Sequence, residues 1–93
     1  MLPYPNPMEK DGYFTFVITE ESDITITIYT ITGKKIRTIQ SPAASAGYNQ
    51  IYWNGKDGDG DELANNTYFY KIKAKQLSNN KVTEEIGKIV ILK

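Results

Sequence analysis

The 93-residue sequence contains no cysteine and no histidine. Without cysteine there is no disulfide, and without either residue there is no zinc site of the nitrogen–sulfur kind. A serine or cysteine nucleophile paired with a histidine base is excluded on the same ground. Acid–base work is left to carboxylates, lysines and tyrosines, none of which titrates near neutrality without strong perturbation. The sequence is therefore read as non-enzymatic. An excess of charge is also missing: 11 Lys and Arg balance 11 Asp and Glu. No basic surplus exists to meet phosphates, which argues against a nucleic-acid partner. No apolar run approaches the ~18 residues that span a bilayer, so membrane insertion is not expected. Met1, Leu2 and Pro3 supply neither a basic start nor an apolar stretch, and no signal peptide is visible. A chain of this length buries roughly 65% of the surface it exposes when unfolded, enough for the core of one domain over residues 1–93.

What is present is period-two patterning broken by turn residues. Residues 2–7 carry three prolines in five positions, which fixes an extended or turn-like lead-in and forbids a central strand. That lead-in (residues 1–10) is expected to be a joint to a preceding domain, an edge that packs Tyr4 on the sandwich, or both. Asp11 and Gly12 mark a turn. Residues 13–19 alternate, with Phe14, Phe16 and Ile18 on one face. Residues 20–23 form a polar turn. In residues 24–29, Ile24, Ile26 and Ile28 share one side, and every residue is β-branched or aromatic. A helix would scatter those isoleucines around its circumference. After a turn at Thr32 and Gly33, residues 35–40 form a strand whose Ile36–Ile39 spacing predicts a bulge or irregular edge. The small residues 41–47 make the crossover between sheets, and residues 49–54 place Ile51 and Trp53 inward.

Residues 67–75 put Tyr68, Tyr70, Ile72 and Ala74 on one face and Phe69, Lys71, Lys73 and Lys75 on the other. Residues 78–80 turn the chain, and residues 83–92 return. Lys73 and Lys75 are expected across from Glu84 and Glu85. Gly87 predicts a bulge or a close backbone contact. Ile89, Val90, Ile91 and Leu92 are apolar on both faces, which predicts a central or doubly covered strand. Six or seven short strands with no helical period make an antiparallel two-sheet sandwich.

The densest stretch brackets an acidic loop between Trp53 and the consecutive rings Tyr68, Phe69 and Tyr70. Asp57, Asp59 and Asp61, with Glu62 adjacent, offer oxygens of the kind calcium takes in sets of six to eight. Counted as an EF-hand loop, the sixth position is Glu62 where Gly is needed, and the twelfth is Tyr68 where a bidentate Glu is needed. The same residues make a hairpin turn whose Asp and Gly satisfy positive φ and cap their own backbone. The turn is preferred, so no metal and no cofactor is expected, with these three aspartates as the weak calcium candidates. Ile26, Ile28, Trp53, Tyr68 and Tyr70 are the expected core anchors. Tyr13, Tyr29, Tyr48 and Tyr52 fall off the core faces. They either cover strand edges or form a platform for a carbohydrate or protein partner. Residues 88–93 are either a plain terminal strand or a recognition segment open to a partner.

Several of these patterns together resemble one family. Tyr4, Pro5, Asn6 and Pro7 resemble its opening "YPNP". Residues 24–33 resemble its "V-x-L-x-V-Y-D-x-x-G". Trp53 to Asp57, Gly60, and residues 63–70 resemble "W-D-G-x-D-x-x-G-x-x-L-A-x-G-x-Y-x-Y", and residues 88–93 resemble "K-x-V-x-x-K". Asn54 stands where the family usually has Asp, Asn66 where it has Gly, and Thr30 where an Asp follows the tyrosine. The family is the FlgD-type immunoglobulin-like domain, which overlaps with the C-terminal sorting domains of type IX secretion cargo. The resemblance implies an Ig-like, all-β antiparallel sandwich of about seven strands. It implies a non-catalytic C-terminal module of a larger secreted or cell-surface bacterial protein, often a hydrolase. The implied partners are the outer-membrane secretion and sorting machinery and the parent's preceding catalytic domain. An FlgD-like structural assembly domain is the neighbouring alternative. By analogy, recognition falls on Gly87, Lys88, Ile89, Val90, Ile91, Leu92 and Lys93.

Overall fold

Two-residue periodicity governs the backbone from residue 12 onward. The computed structural model describes residues 2–93, and every regular element among them is a β-strand. In chain order these are β1 (Leu2–Tyr4), β2 (Gly12–Ile18), β3 (Ser22–Tyr29), β4 (Lys35–Ala44), β5 (Gly47–Trp53), β6 (Asn66–Gln76) and β7 (Val82–Ile91). They build a three-stranded sheet, β1-β2-β5, and a four-stranded sheet, β4-β3-β6-β7. All strand pairs are antiparallel. The fold is the all-β antiparallel two-sheet sandwich that the strand pattern implies, of the Ig-like kind that the resemblance implies.

Alternation decides which side chains meet between the sheets. From the four-stranded sheet come Ile24, Ile26 and Ile28 of β3, Tyr68, Tyr70, Ile72 and Ala74 of β6, and Ile89 and Ile91 of β7. The three-stranded sheet contributes Phe14, Phe16 and Trp53. Phe14 joins the layers: its ring lies 6.0 Å from Trp53 in its own sheet and 5.3 Å from Tyr70 in the opposite one. Aromatic pairs at such spacing contribute roughly 0.5–1.5 kcal/mol each beyond area burial. Gly87 lies across the ladder from Tyr70. A Cβ at Gly87 would run into the Tyr70 phenol, so the expected close contact at this glycine is made by a ring from the neighbouring strand. The β6–β7 register continues through it without a bulge.

Several sequence-based expectations are corrected. The lead-in contains a short strand, β1, and β1 is an edge, which accommodates its proline. Tyr4 does not pack on the core; it is 69% exposed on the outer face. Gly12 opens β2 rather than closing a turn. The polar turn ends two residues early, because Ser22 is buried as the first residue of β3 and its hydroxyl donates to the Glu20 carbonyl at 2.9 Å. The crossover shortens to residues 45–46, because β4 runs on to Ala44. Asp23 supports that extension by accepting the Ala43 amide at 2.9 Å. The irregularity foreseen near Ile36 is present: Ile28 pairs with Arg37 and Tyr29 with Lys35, leaving Ile36 as the extra residue. Lys73 does face Glu84, but Lys75 faces Val82 and Glu85 faces Ile72, because the connecting turn sets a different register. The ion pair is diagonal, Lys71 to Glu84 at 3.6 Å.

The largest correction concerns β7. It is an edge strand, not a central one. Its missing neighbour is supplied by the lead-in. The Met8 amide donates to the Val90 carbonyl (2.8 Å) and the Leu92 amide to the Met8 carbonyl (3.0 Å). The Val90 amide donates to Asn6 Oδ1 (3.0 Å), and Met8 pairs in parallel with Ile91. The Met8 side chain is buried with the core. A chain that begins on the edge of one sheet thus finishes its lead-in on the edge of the other.

Two outcomes follow from this packing. Burial raises the Tyr68 phenol above its ordinary value, and burial followed by the nearby Glu85 charge raises Tyr70. A raised folded value means that the native state holds the phenolic proton more tightly. Its contribution is complete below the unfolded value and is lost as pH rises through the folded one. Urea midpoints should therefore stay level on this account up to about pH 10 and fall above it. Tyr70→Phe should flatten that alkaline limb while keeping the ring. Separately, Gly87→Ala should lower unfolding free energy by about 1–3 kcal/mol, since the added methyl displaces the Tyr70 ring. Chemical denaturation of both variants beside the parent domain checks each.

Candidate functional site

The two segments singled out by sequence, the terminal strand and the acidic loop, lie at one end of the sandwich and touch. The terminal segment splits by face. Ile89 and Ile91 are 1% and 2% exposed and belong to the core. Lys88, Leu92 and Lys93 are exposed and Val90 is half-buried. Gly87 is covered from within by Tyr70. Of the seven candidate recognition residues, then, only Lys88, Val90, Leu92 and Lys93 present side chains outward. The Lys88 ammonium sits 6.0 Å from the centre of the Phe69 ring, a cation–π distance. Leu92 borders a groove of about 480 Å³ whose other walls are Pro5, Pro7, Glu9, Lys10 and Asp11.

This segment is not a loose tail. Its backbone is held by β6 on one side and by Asn6 and Met8 on the other. The Lys93 amide donates to Asn65 Oδ1 at 3.0 Å, and the Lys93 ammonium lies 3.7 Å from Glu62. Sequence reasoning missed Asn6 and Met8 as its partners. Their signal is faint: Met8 is the first residue after Pro7 with an amide to donate, and Asn6 pairs through its side chain.

The acidic loop, residues 54–65, is shaped by its own backbone and by Arg37, with Lys93 at Glu62. Asp57 Oδ1 accepts the amides of Asp59 (3.0 Å) and Asp61 (2.9 Å), capping the turn from within. The Asp57 amide donates to the Asp61 carbonyl and the Gly60 amide to the Asp57 carbonyl. Arg37 of β4 reaches across, its Nη1 donating to the carbonyls of Lys56 (3.1 Å) and Asp57 (3.2 Å) and to Asn54 Oδ1 (3.2 Å). The Trp53 indole donates to the same Lys56 carbonyl at 2.9 Å. Gly55 has φ +77°, and a Cβ there would collide with the Lys10 carbonyl, which is why the Trp-Asn-Gly corner needs glycine. At the far end Tyr68 donates its hydroxyl to the Ala64 carbonyl at 2.7 Å.

Carboxylate oxygens of Asp57, Asp59 and Asp61 lie within 4.8 Å of one another. The best-placed of them, on Asp57, is occupied twice by amides. The Arg37 guanidinium compensates two loop carbonyls. The geometry accounts for the residue pattern as an internally capped turn. No helix among the described residues is long and apolar enough to cross a membrane.

The off-core tyrosines do not stay together. Tyr13, Tyr48 and Tyr52 line the outer face of the three-stranded sheet, where Tyr4 joins them. Tyr29 lies on the other sheet, facing Phe69 across the β3–β6 ladder.

Compared with known proteins, residues 7–78 match the family model of the FlgD Ig-like domain. Compared by sequence with curated proteins, the chain matches none. Among solved structures it is similar to dimeric latent PorU from Porphyromonas gingivalis, with a TM-score of 0.77 and 19% identity over 98% of this chain and 9% of that one. It is similar to FlgD from Xanthomonas campestris, whose structure concerns hook capping in flagellar assembly: TM-score 0.72, 16% identity, 91% of this chain and 60% of that one. PorZ of Porphyromonas gingivalis, an essential surface component of the type-IX secretion system, gives a TM-score of 0.58 and 16% identity over 99% of this chain and 11% of that one. The chain thus spans about a tenth of PorU and of PorZ and three fifths of that FlgD. The model match covers the strands from β2 to β6, the acidic loop and the Trp53 corner, and the chain belongs to the FlgD Ig-like domain family.

Proposed function

We propose that this domain is a non-enzymatic, C-terminal Ig-like module of a larger secreted or cell-surface bacterial protein. It acts as a type IX sorting signal or structural accessory domain. Its partners are the outer-membrane sorting machinery and the catalytic domain that precedes it in the parent, which places it outside the cell at the outer membrane. The observation that carries this reading is the near-complete match of the chain to about a tenth of PorZ, itself a type-IX component, joined to the family membership. The terminal strand supports it: Lys88, Val90, Leu92 and Lys93 face outward on a backbone pinned from both sides, so a receptor meets a fixed array. The FlgD-like reading, a structural domain in an extracellular assembly, is favoured by the 0.72 TM-score to a hook-capping protein. Sequencing the parent gene separates the two.

The test is fusion of residues 1–93 to a secreted reporter in a type IX-competent bacterium. Deleting residues 88–93 removes Ile89 and Ile91 from the core as well, so loss of export alone would be ambiguous. The Lys88→Glu, Leu92→Ser, Lys93→Glu triple variant alters only outward side chains. It should retain the parent's thermal midpoint yet export at least about tenfold less reporter, the effect of removing central contacts from an interface. Undiminished export of a folded triple variant would overturn the sorting role of this strand.

A further inference from the structure

The two outer faces of the sandwich differ in kind. On the four-stranded sheet Lys71, Lys73, Lys75, Glu84 and Lys88 face outward beside Tyr29, Phe69 and Ile86, a mixed surface rich in charge. On the three-stranded sheet, the outward residues of β2 are Tyr13, Thr15 and Val17, and those of β5 are Tyr48, Gln50 and Tyr52. Tyr4 extends the face onto β1. None of these is charged at neutral pH. Tyr4 is 69% exposed, Val17 71%, Tyr48 65% and Tyr52 51%. Tyr4 pairs with Tyr13 and Tyr13 with Tyr52, so three rings form one row across three strands, about 4.8 Å apart at the backbone. Val17 and Tyr48 form a second row beyond Thr15 and Gln50.

The rings are held. Tyr13 and Tyr52 pack edge-to-face at 5.6 Å. The Tyr52 hydroxyl donates to Asp11 at 2.9 Å, and Gln50 Nε2 donates to the Tyr48 hydroxyl at 3.0 Å. The Asp11 bond raises the Tyr52 phenol above its ordinary value and keeps it the neutral, donating form. Such fixing lowers the ordering cost of binding.

We propose that this face binds a neutral polysaccharide chain lying across the three strands, its sugar rings stacked on the tyrosines. The chemistry favours that occupant. A protein surface pressed against the face would desolvate the tyrosine hydroxyls and the Gln50 amide and would have to re-pair each one. A sugar offers apolar C–H faces to the rings and hydroxyl groups to the same polar tips, with bridging water where contact is incomplete. The outward residues of the strands carry no charge, which matches a neutral chain, and the Asp11 carboxylate that accepts from Tyr52 disfavours a uronic or sulfated one.

The test is calorimetric titration of the whole domain with cellohexaose, xylohexaose, maltohexaose and hexa-N-acetylchitohexaose, followed in parallel by tyrosine fluorescence. At least one should bind saturably at or below about 1 mM, a weak but specific affinity. Tyr13→Ala and Tyr52→Ala should each weaken it about tenfold, as truncation of a stacked aromatic anchor does. Tyr13→Phe should lose less, and Lys73→Ala on the opposite sheet should change nothing. All four variants lie on solvent faces, and unchanged thermal midpoints confirm that they fold. Silence across the four sugars overturns the proposal, as does binding indifferent to Tyr13→Ala and Tyr52→Ala. So does concentration-dependent self-association that those two substitutions abolish, because the occupant would then be a second copy of this chain.

Discussion

The sandwich depends on one contact through its middle: Phe14 set between Trp53 and Tyr70, with Gly87 leaving the room that Tyr70 occupies. A 93-residue chain has few side chains to spend on an interior, and no disulfide to staple it. Large rings offset that shortage because each buries much area for little lost rotamer freedom. The arrangement also fixes what lies at either end. Trp53 points its indole nitrogen at the Lys56 carbonyl and so positions the acidic loop. Tyr68, two residues from Tyr70 on the same face, anchors the loop's far end through Ala64. The corner, the loop and the long strand after it are thus one construction, and they fall within the stretch matched by the family model.

Much of this is legible in the sequence because alternation is a strong signal wherever one face is buried. Ile24, Ile26 and Ile28 declare β3 without help, and Tyr68, Tyr70 and Ile72 declare β6. What escapes the sequence is made by backbone. The run Ile89 to Leu92 reads as a doubly covered strand, but the cover at its free edge comes from main-chain groups of Met8 and the side-chain amide of Asn6, some eighty residues earlier. Main-chain pairing carries no side-chain pattern. The partner of Lys75 escapes for a related reason: a turn one residue longer or shorter shifts every cross-strand pair. Arg37 escapes because a lone arginine on an irregular strand looks like any solvated charge until the loop folds over it.

The acidic loop is organised from within. Of its three alternating aspartates, Asp57 accepts two of the loop's own amides, and Arg37 donates to the nearby carbonyls. The tyrosines run the other way. Scattered along the sequence, they read either as edge cover or as a platform; folded, Tyr4, Tyr13, Tyr48 and Tyr52 gather on one sheet face, and of the off-core tyrosines Tyr29 is left apart. The sheet converts sequence distance into a surface with a single character.

The bond pair that Met8 makes with Val90 and Leu92 also sets how the domain carries force. The lead-in runs parallel to β7 where they meet. Tension applied upstream of Met8 and at the terminal strand therefore pulls the two segments past each other lengthwise, loading their hydrogen bonds together in shear rather than opening them one at a time. The buried Met8 side chain must leave the core in the same event. A pull from upstream meets β1 on the three-stranded sheet before it reaches this clamp, and a pull on Lys93 is shared with Asn65 and Glu62 of the acidic loop.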